Sequence, residues 1–199
     1  MTNFDIAFRI TISHEGGYSN NPADRGGETY KGISRKNWPE WDGWRFVDIY
    51  KSKYKNGALN AELEKNIGVQ GLVKEFYKRN FWDSNYCELF DEDVSRELFD
   101  TSVNQGSYEA ARALQRSLNK LNRNQQDYYD IHDDGFIGEK TLSAYRQYMS
   151  TSRFTTRNKE KLIKWLLRWM NYYQLKKYDA ITDSDPGQEI FIPGWTERA

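Results

Sequence analysis

At 199 residues, with 29 basic side chains against 29 acidic ones and no block of like charge, the chain can build one substantial core, or two lobes sharing one, and carries no electrostatic grip for nucleic acid. Its single cysteine, Cys87, excludes an internal disulfide and reads as a small buried side chain rather than a nucleophile, since only two histidines exist to activate it. No charged segment followed by an apolar run opens the sequence, so the expectation is a protein made in the cytoplasm without a recognisable signal peptide.

In chain order, Phe4, Ala7, Phe8, Thr11, Ile12 and Glu15 recur at three- and four-residue steps, which predicts a helix capped by Thr2 or Asn3 with Glu15 on its apolar face. A carboxylate beside apolar surface has a raised pKa and can remain a proton donor near neutral pH. Gly16 and Gly17 follow, removing side chains and permitting a sharp turn beside the acid; His14 reads as a packed neighbour. The turn-rich stretch Ser19 to Ser34 predicts a small irregular β-hairpin carrying Asp24, Glu28 and Thr29. An acid at a helix end opposite a hairpin carboxylate suits glycoside hydrolysis, in which one group protonates the departing oxygen and the other activates water or steadies the oxocarbenium-like centre. Asp24 is the first choice for the second role and Glu28 its rival, while the Thr29 hydroxyl can hold the water.

Helical periodicity marks the remainder. Trp44, Val47 and Ile49 to Tyr50 predict a short helix broken by Asn56-Gly57, and Val69, Leu72, Val73, Phe76 and Tyr77 form a stripe reaching about Trp82. A helix beginning near Val94 runs to Asn104 and brings Asp100 and Asn104 to one face, Ser107 is a suitable N-cap for the next, and Asp133-Asp134-Gly135 turns into a helix over Lys140 to Tyr148. Asp133 and Asp134 beside His132 lack the ligand spacing of a calcium loop, so no metal site is expected. The last helix, roughly Arg157 to Tyr178, is apolar on most sides and reads as the central buried helix, its Lys161, Lys164 and Arg168 stripe being one wet edge rather than a membrane-surface face.

The run Glu15-Gly16-Gly17-Tyr18, the segment Asn20 to Thr29 and Lys31-Gly32-Ile33-Ser34 resemble the N-terminal signature of glycoside hydrolase family 108, a group of bacterial and phage N-acetylmuramidases. Leu98 to Gly106, Asp134 to Thr141 and Gly194 to Arg198 are similar to the predicted peptidoglycan-binding region that accompanies the family, so the resemblance spans almost the whole chain. It implies a mainly α, lysozyme-like fold with a small hairpin after the catalytic helix. The implied organisation is a catalytic region over 1–93 and a helical peptidoglycan-binding region over 94–199, packed into the same unit. By resemblance Glu15 is the general acid, with Asp24 and Thr29 beside it and Tyr18, Tyr30, Asp100 and Asn104 positioning sugars. The spacing of Glu15 to Asp24 is that of phage-type lysozymes, whereas the threonine position of that pattern falls on Tyr30, one residue beyond Thr29. The implied activity is cleavage of peptidoglycan glycan strands at the cell wall without metal or organic cofactor, in an endolysin or secretion-helper setting where a holin or secretion apparatus supplies access and no stable membrane insertion is needed. A lytic transglycosylase and a non-catalytic wall-binding or secretion-accessory protein are the alternatives.

Overall fold

The first helix begins with a reciprocal cap. The Thr2 hydroxyl accepts the N–H of Asp5 at 3.2 Å and the Asp5 carboxylate accepts the N–H of Thr2 at 2.8 Å, which decides between Thr2 and Asn3. Helix α1 (Asn3–Ile12) buries Phe4, Ala7 and Thr11, the face expected from their spacing. The structure, a computed structural model, describes residues 1–13, 16–20, 27–151 and 159–198. Among these residues it is mainly α, with nine α-helices and one three-stranded antiparallel sheet, the lysozyme-like class. The chain divides into two compact units, Met1–Asn80 and Phe81–Ala199.

In the first unit the expected hairpin is a three-stranded meander. Strands β1 (Tyr18–Asn20) and β2 (Glu28–Tyr30) pair with Tyr18 opposite Tyr30 and Asn20 opposite Glu28, and β2 pairs in turn with β3 (Ile33–Ser34). Lys31 and Gly32, at φ 49° and 75°, form the two-residue turn between β2 and β3; positive φ at both positions matches the right-handed twist of the strands. The Tyr77 hydroxyl donates to the Lys31 carbonyl at 2.7 Å and pins that turn. Helices α2 (Trp44–Lys53), α3 (Asn56–Lys65) and α4 (Ile67–Tyr77) follow. The break expected at Asn56-Gly57 lies earlier, because Tyr54 is already extended and Asn56 opens α3. Asn66 caps α4, accepting the N–H of Val69 at 3.1 Å. Beyond α4 the chain continues into a π-helical turn, Lys78–Asp83, where the Asn80 amide donates to the Phe76 carbonyl at 2.8 Å.

The second unit is built on α5 (Glu92–Gln105), α6 (Ser107–Leu121) and α8 (Lys159–Ser184), with α7 (Glu139–Ser150) and the short α9 (Ile192–Arg198) around them. Small residues on α6, namely Ala110, Ala111, Ala113 and Ser117, are buried with Leu114 and Leu118 and allow the neighbouring helices close approach. Ser107 is not the cap of α6 but its first residue. Gly106 takes the cap position at φ 91°, and the Ser107 hydroxyl accepts instead from the Asn85 amide at 3.0 Å. Helix α8 buries a single stripe, Leu162, Leu166, Met170, Gln174 and Tyr178, so the expectation of a helix buried on most sides is corrected. Lys161, Lys164 and Arg168 are exposed along its wet edge. None of the described helices is long and apolar enough to cross a membrane.

Between α6 and α7 the chain has no regular structure and is held by side-chain amides. Gln115, 1% exposed, shares its two Nε2 hydrogens among the Asp134 carboxylate at 2.9 Å, the Phe136 carbonyl at 3.0 Å and the Thr141 hydroxyl at 3.0 Å, and its Oε1 accepts the Gly135 N–H at 3.0 Å. Asp133 is meanwhile ion-paired with Arg116 at 2.6 Å. Turn hydrogen bonding and ion pairing thus account for the Asp133-Asp134 pair, and no metal-binding cluster occurs among the described residues. Replacing Gln115 by Leu strands the buried Gly135 donor and Thr141 hydroxyl and removes the ties to Asp134 and Phe136. The expected loss is about 2–4 kcal/mol of stability, read as a lower midpoint in denaturant titration of the full chain.

Candidate active site

The N-terminal motif is partly visible. Thr11 is the last inward-facing residue of α1, 1% exposed, and Ser13 ends the helix. His14, Glu15 and Asp24 lie outside the described residues. Gly17 owes its identity to a close approach: a Cβ there would meet the Asn60 side-chain amide at 2.6 Å, and the Asn60 Oδ1 accepts the Tyr18 N–H at 2.7 Å. Neither Gly16 nor Gly17 adopts positive φ. The pairing of Asn20 with Glu28 anchors both ends of the segment that carries Asp24.

Strand alternation sorts the hairpin residues by face. Tyr18, Glu28 and Tyr30 point to one side of the sheet and Thr29 to the other. Tyr30 is fully buried, accepts from the Gln70 amide at 2.8 Å and stacks on Trp41 with ring centroids 6.4 Å apart. Burial pushes its phenol up to about 12. Its ring belongs to the core, which corrects the expectation that it contacts sugar. The Tyr18 hydroxyl donates to Glu28 Oε1 at 2.9 Å.

Glu28 is the centre of an ion cluster. Lys51 Nζ lies 2.5 Å from Oε1 and Arg35 Nε 2.9 Å from Oε2, while Arg35 also pairs with Asp48 at 2.7 Å and lies over the Trp44 ring at 4.4 Å. Burial works against the Lys51 ammonium, but its bonds to Glu28 and Tyr18 outweigh that and hold its pKa above the ordinary value. With both oxygens engaged by cations, Glu28 is built to fasten β2 to α2, which weakens its claim as the second catalytic carboxylate.

In the second unit, Asp100 and Asn104 do share a face of α5. The Asn104 amide donates to the Asp100 carboxylate at 2.8 Å and to the Asp100 carbonyl at 2.9 Å, so both its hydrogens serve the helix. Three residues before Asp100 in the same helix stands a group that the motifs do not mark. Burial pushes the Glu97 carboxyl up to about 7; the Thr101 hydroxyl, donating at 3.1 Å, and Arg96 hold it back, whereas the nearby Asp100 carboxylate adds to the rise. The signal was present in the sequence, since Glu97 falls between the buried Val94 and Thr101 at helical steps, the same periodicity that marks Glu15. Cys87 is buried and free, and burial raises its thiol far above the reactive range.

With this arrangement established, comparison with known proteins is specific. The family model Glycosyl hydrolase 108 matches residues 8–106, and the model Predicted Peptidoglycan domain matches residues 109–199. Among solved structures the chain is similar to Brucella abortus SagA, at 22% sequence identity and a TM-score of 0.57, over 98% of this chain and 88% of that one. At this identity the likeness establishes the fold alone. No curated protein matches the chain.

The Glu97 pKa has a consequence for stability. A carboxyl raised from 4.5 to about 7 on folding binds its proton more tightly in the native state, so its contribution is fully present below pH 4.5 and is lost as pH rises toward 7. Glu97→Gln is expected to remove this dependence. Thermal melts of both proteins between pH 4.5 and 8 should show the variant gaining on the parent as pH rises; parallel curves would contradict the assignment.

Proposed function

Because residues 8–106 belong to the glycosyl hydrolase 108 family and are followed by a predicted peptidoglycan domain at 109–199, we propose that this protein is an N-acetylmuramidase that hydrolyses the glycan strand of peptidoglycan. The observation that carries the reading is the family match over the segment that contains Glu15, Asp24 and Thr29, arranged as a helix followed by a small antiparallel sheet. Glu15 protonates the glycosidic oxygen as the bond to the anomeric carbon breaks. Asp24 orients the attacking water or steadies the developing positive charge, and Thr29, on the sheet face opposite Glu28, assists with that water. Tyr18, Asp100 and Asn104 remain proposed sugar contacts. The substrate places the protein's work at the cell wall, reached through a holin or secretion apparatus. The chemistry needs no metal or organic cofactor.

Glu15→Gln keeps the shape of the side chain but has no proton to donate, so digestion of purified peptidoglycan should fall on the order of a hundredfold or more in a protein with an unchanged melt. A folded variant retaining more than about a tenth of the activity would remove Glu15 from the acid role. Mass spectrometry of the parent's products separates hydrolysis, which leaves reducing ends, from transglycosylation, which leaves anhydro ends.

Asp24→Asn should lower kcat far more than it raises KM for a soluble glycan fragment, because a charge that acts on the transition state adds little to ground-state affinity. Equal losses in both would instead indicate a turn-forming role for Asp24.

A further inference from the structure

A second feature of the first unit has no part in the chemistry above. The loop after β3 and the outer half of α4 enclose a cavity of about 420 Å³, within the size range of small-ligand sites. Trp38, Trp41 and Phe76 form its aromatic wall, with Trp38 edge-on to Phe76 at 5.0 Å and Trp41 edge-on at 6.3 Å. Trp38 is 41% exposed, an unusual position for so large an apolar ring, and its indole N–H has no acceptor among the described residues. The rim carries Asn37, Glu40, Asp42, Glu75 and Arg79, all exposed, whose side chains make no ion pair or hydrogen bond among the described residues.

The backbone beneath the wall is held by hydrogen bonds. The Trp38 carbonyl accepts both the Trp41 N–H at 3.2 Å and the Trp44 indole N–H at 2.8 Å, and the Trp38 N–H donates to Ser34 at 2.9 Å. The Trp41 indole reaches the Leu72 carbonyl at 3.4 Å. Gly43 is required by this packing, since a Cβ there would fall 2.2 Å from the Trp41 ring. Loop and helix are thus locked together around rings that the core does not fully cover, so little ordering entropy remains to be lost on binding.

We infer that this cavity is a binding subsite for one neutral N-acetylhexosamine ring of a glycan strand, stacked on Trp38. A pyranose has an apolar C–H face that matches an indole and an edge of hydroxyls that matches planar side chains with paired acceptors or donors, the types that stand unengaged at this rim. The charge selects among sugars. Three carboxylates against one guanidinium leave the rim net negative, which disfavours the acidic lactyl or peptide-bearing sugar and favours its neutral neighbour. The choice of a wall glycan rests on the muramidase reading; the capacity to hold a sugar ring does not.

The test uses the full chain and the N-acetylglucosamine tetramer as probe, followed through the indole N–H resonances, with the Trp38 signal assigned by Trp38→Phe. The tetramer should shift that signal, and Trp38→Leu should weaken binding about tenfold or more. Glu75→Gln on α4 and Arg79→Ala on the π-helical turn, both exposed, should weaken it severalfold with unchanged melts, and they decide the matter if Trp38→Leu fails to fold. Release of fragments from purified peptidoglycan is measured separately on the parent. Tetramer binding that depends on Trp38 or on these two residues, in a parent that releases no fragments, would uphold the subsite and reject the muramidase. Fragment release with no effect of any of these variants on tetramer binding would do the reverse. Absence of tetramer binding, or binding of the deacetylated glucosamine tetramer alone, would overturn the proposal, the latter marking a cation site.

Discussion

A carboxylate placed where water has little access must be answered by positive charge, and in the first unit Glu28 sets that requirement. Its two oxygens are met by Lys51 from α2 and Arg35 from the turn after β3, with the Tyr18 hydroxyl from β1 completing the set. Strands β1 and β2, the turn after β3 and a helix are therefore fastened through one side chain only 14% exposed. Loss of both cations would leave a largely buried charge uncompensated, which costs more than a surface pair contributes. The cluster holds the β1–β2 ladder in register and so fixes the two ends of the segment carrying Asp24.

The second unit meets a comparable need with amides as well as ion pairs. Arg123, Asn124 and Gln125 all adopt left-handed backbone, at a cost of about 1–2 kcal/mol each for residues with a Cβ. Asn122 offsets part of that cost by donating to Asp130 at 2.6 Å and accepting the Gln125 N–H at 3.2 Å, and Asn119 forms a reciprocal pair with the backbone of Ile131. With Gln115 these side chains replace the ladder hydrogen bonds that an irregular connection lacks. The predicted peptidoglycan domain therefore presents a loop whose shape is specified rather than left to solvent.

Electrostatics separates the carboxylates of the first unit by task. Glu28 is neutralised by its cations, whereas Glu40, Asp42 and Glu75 make no ion pair among the described residues and stand around an aromatic wall. A structural carboxylate needs its charge cancelled; one that meets a ligand needs its acceptors available.

Periodicity and turn chemistry alone determined the helical class, the inward face of α1 and the position of a small sheet straight after it, while the family followed from the resemblance of the motifs. These are readable because they depend on neighbours three or four residues apart, or two apart in a strand. The Thr2 cap and the Lys31-Gly32 turn are equally local. Tertiary structure alone decided that Tyr30 is a core ring under Gln70, that Glu28 is held by a lysine far along the chain, and that Ser107 receives a bond from Asn85 instead of capping its helix. It also brought Trp38 and Trp41 to Phe76 and set Asn60 against Gly17. No spacing rule specifies such partners, because they follow from which surfaces the folded chain brings together, and a side chain's charge, exposure and availability for chemistry are set by those distant neighbours.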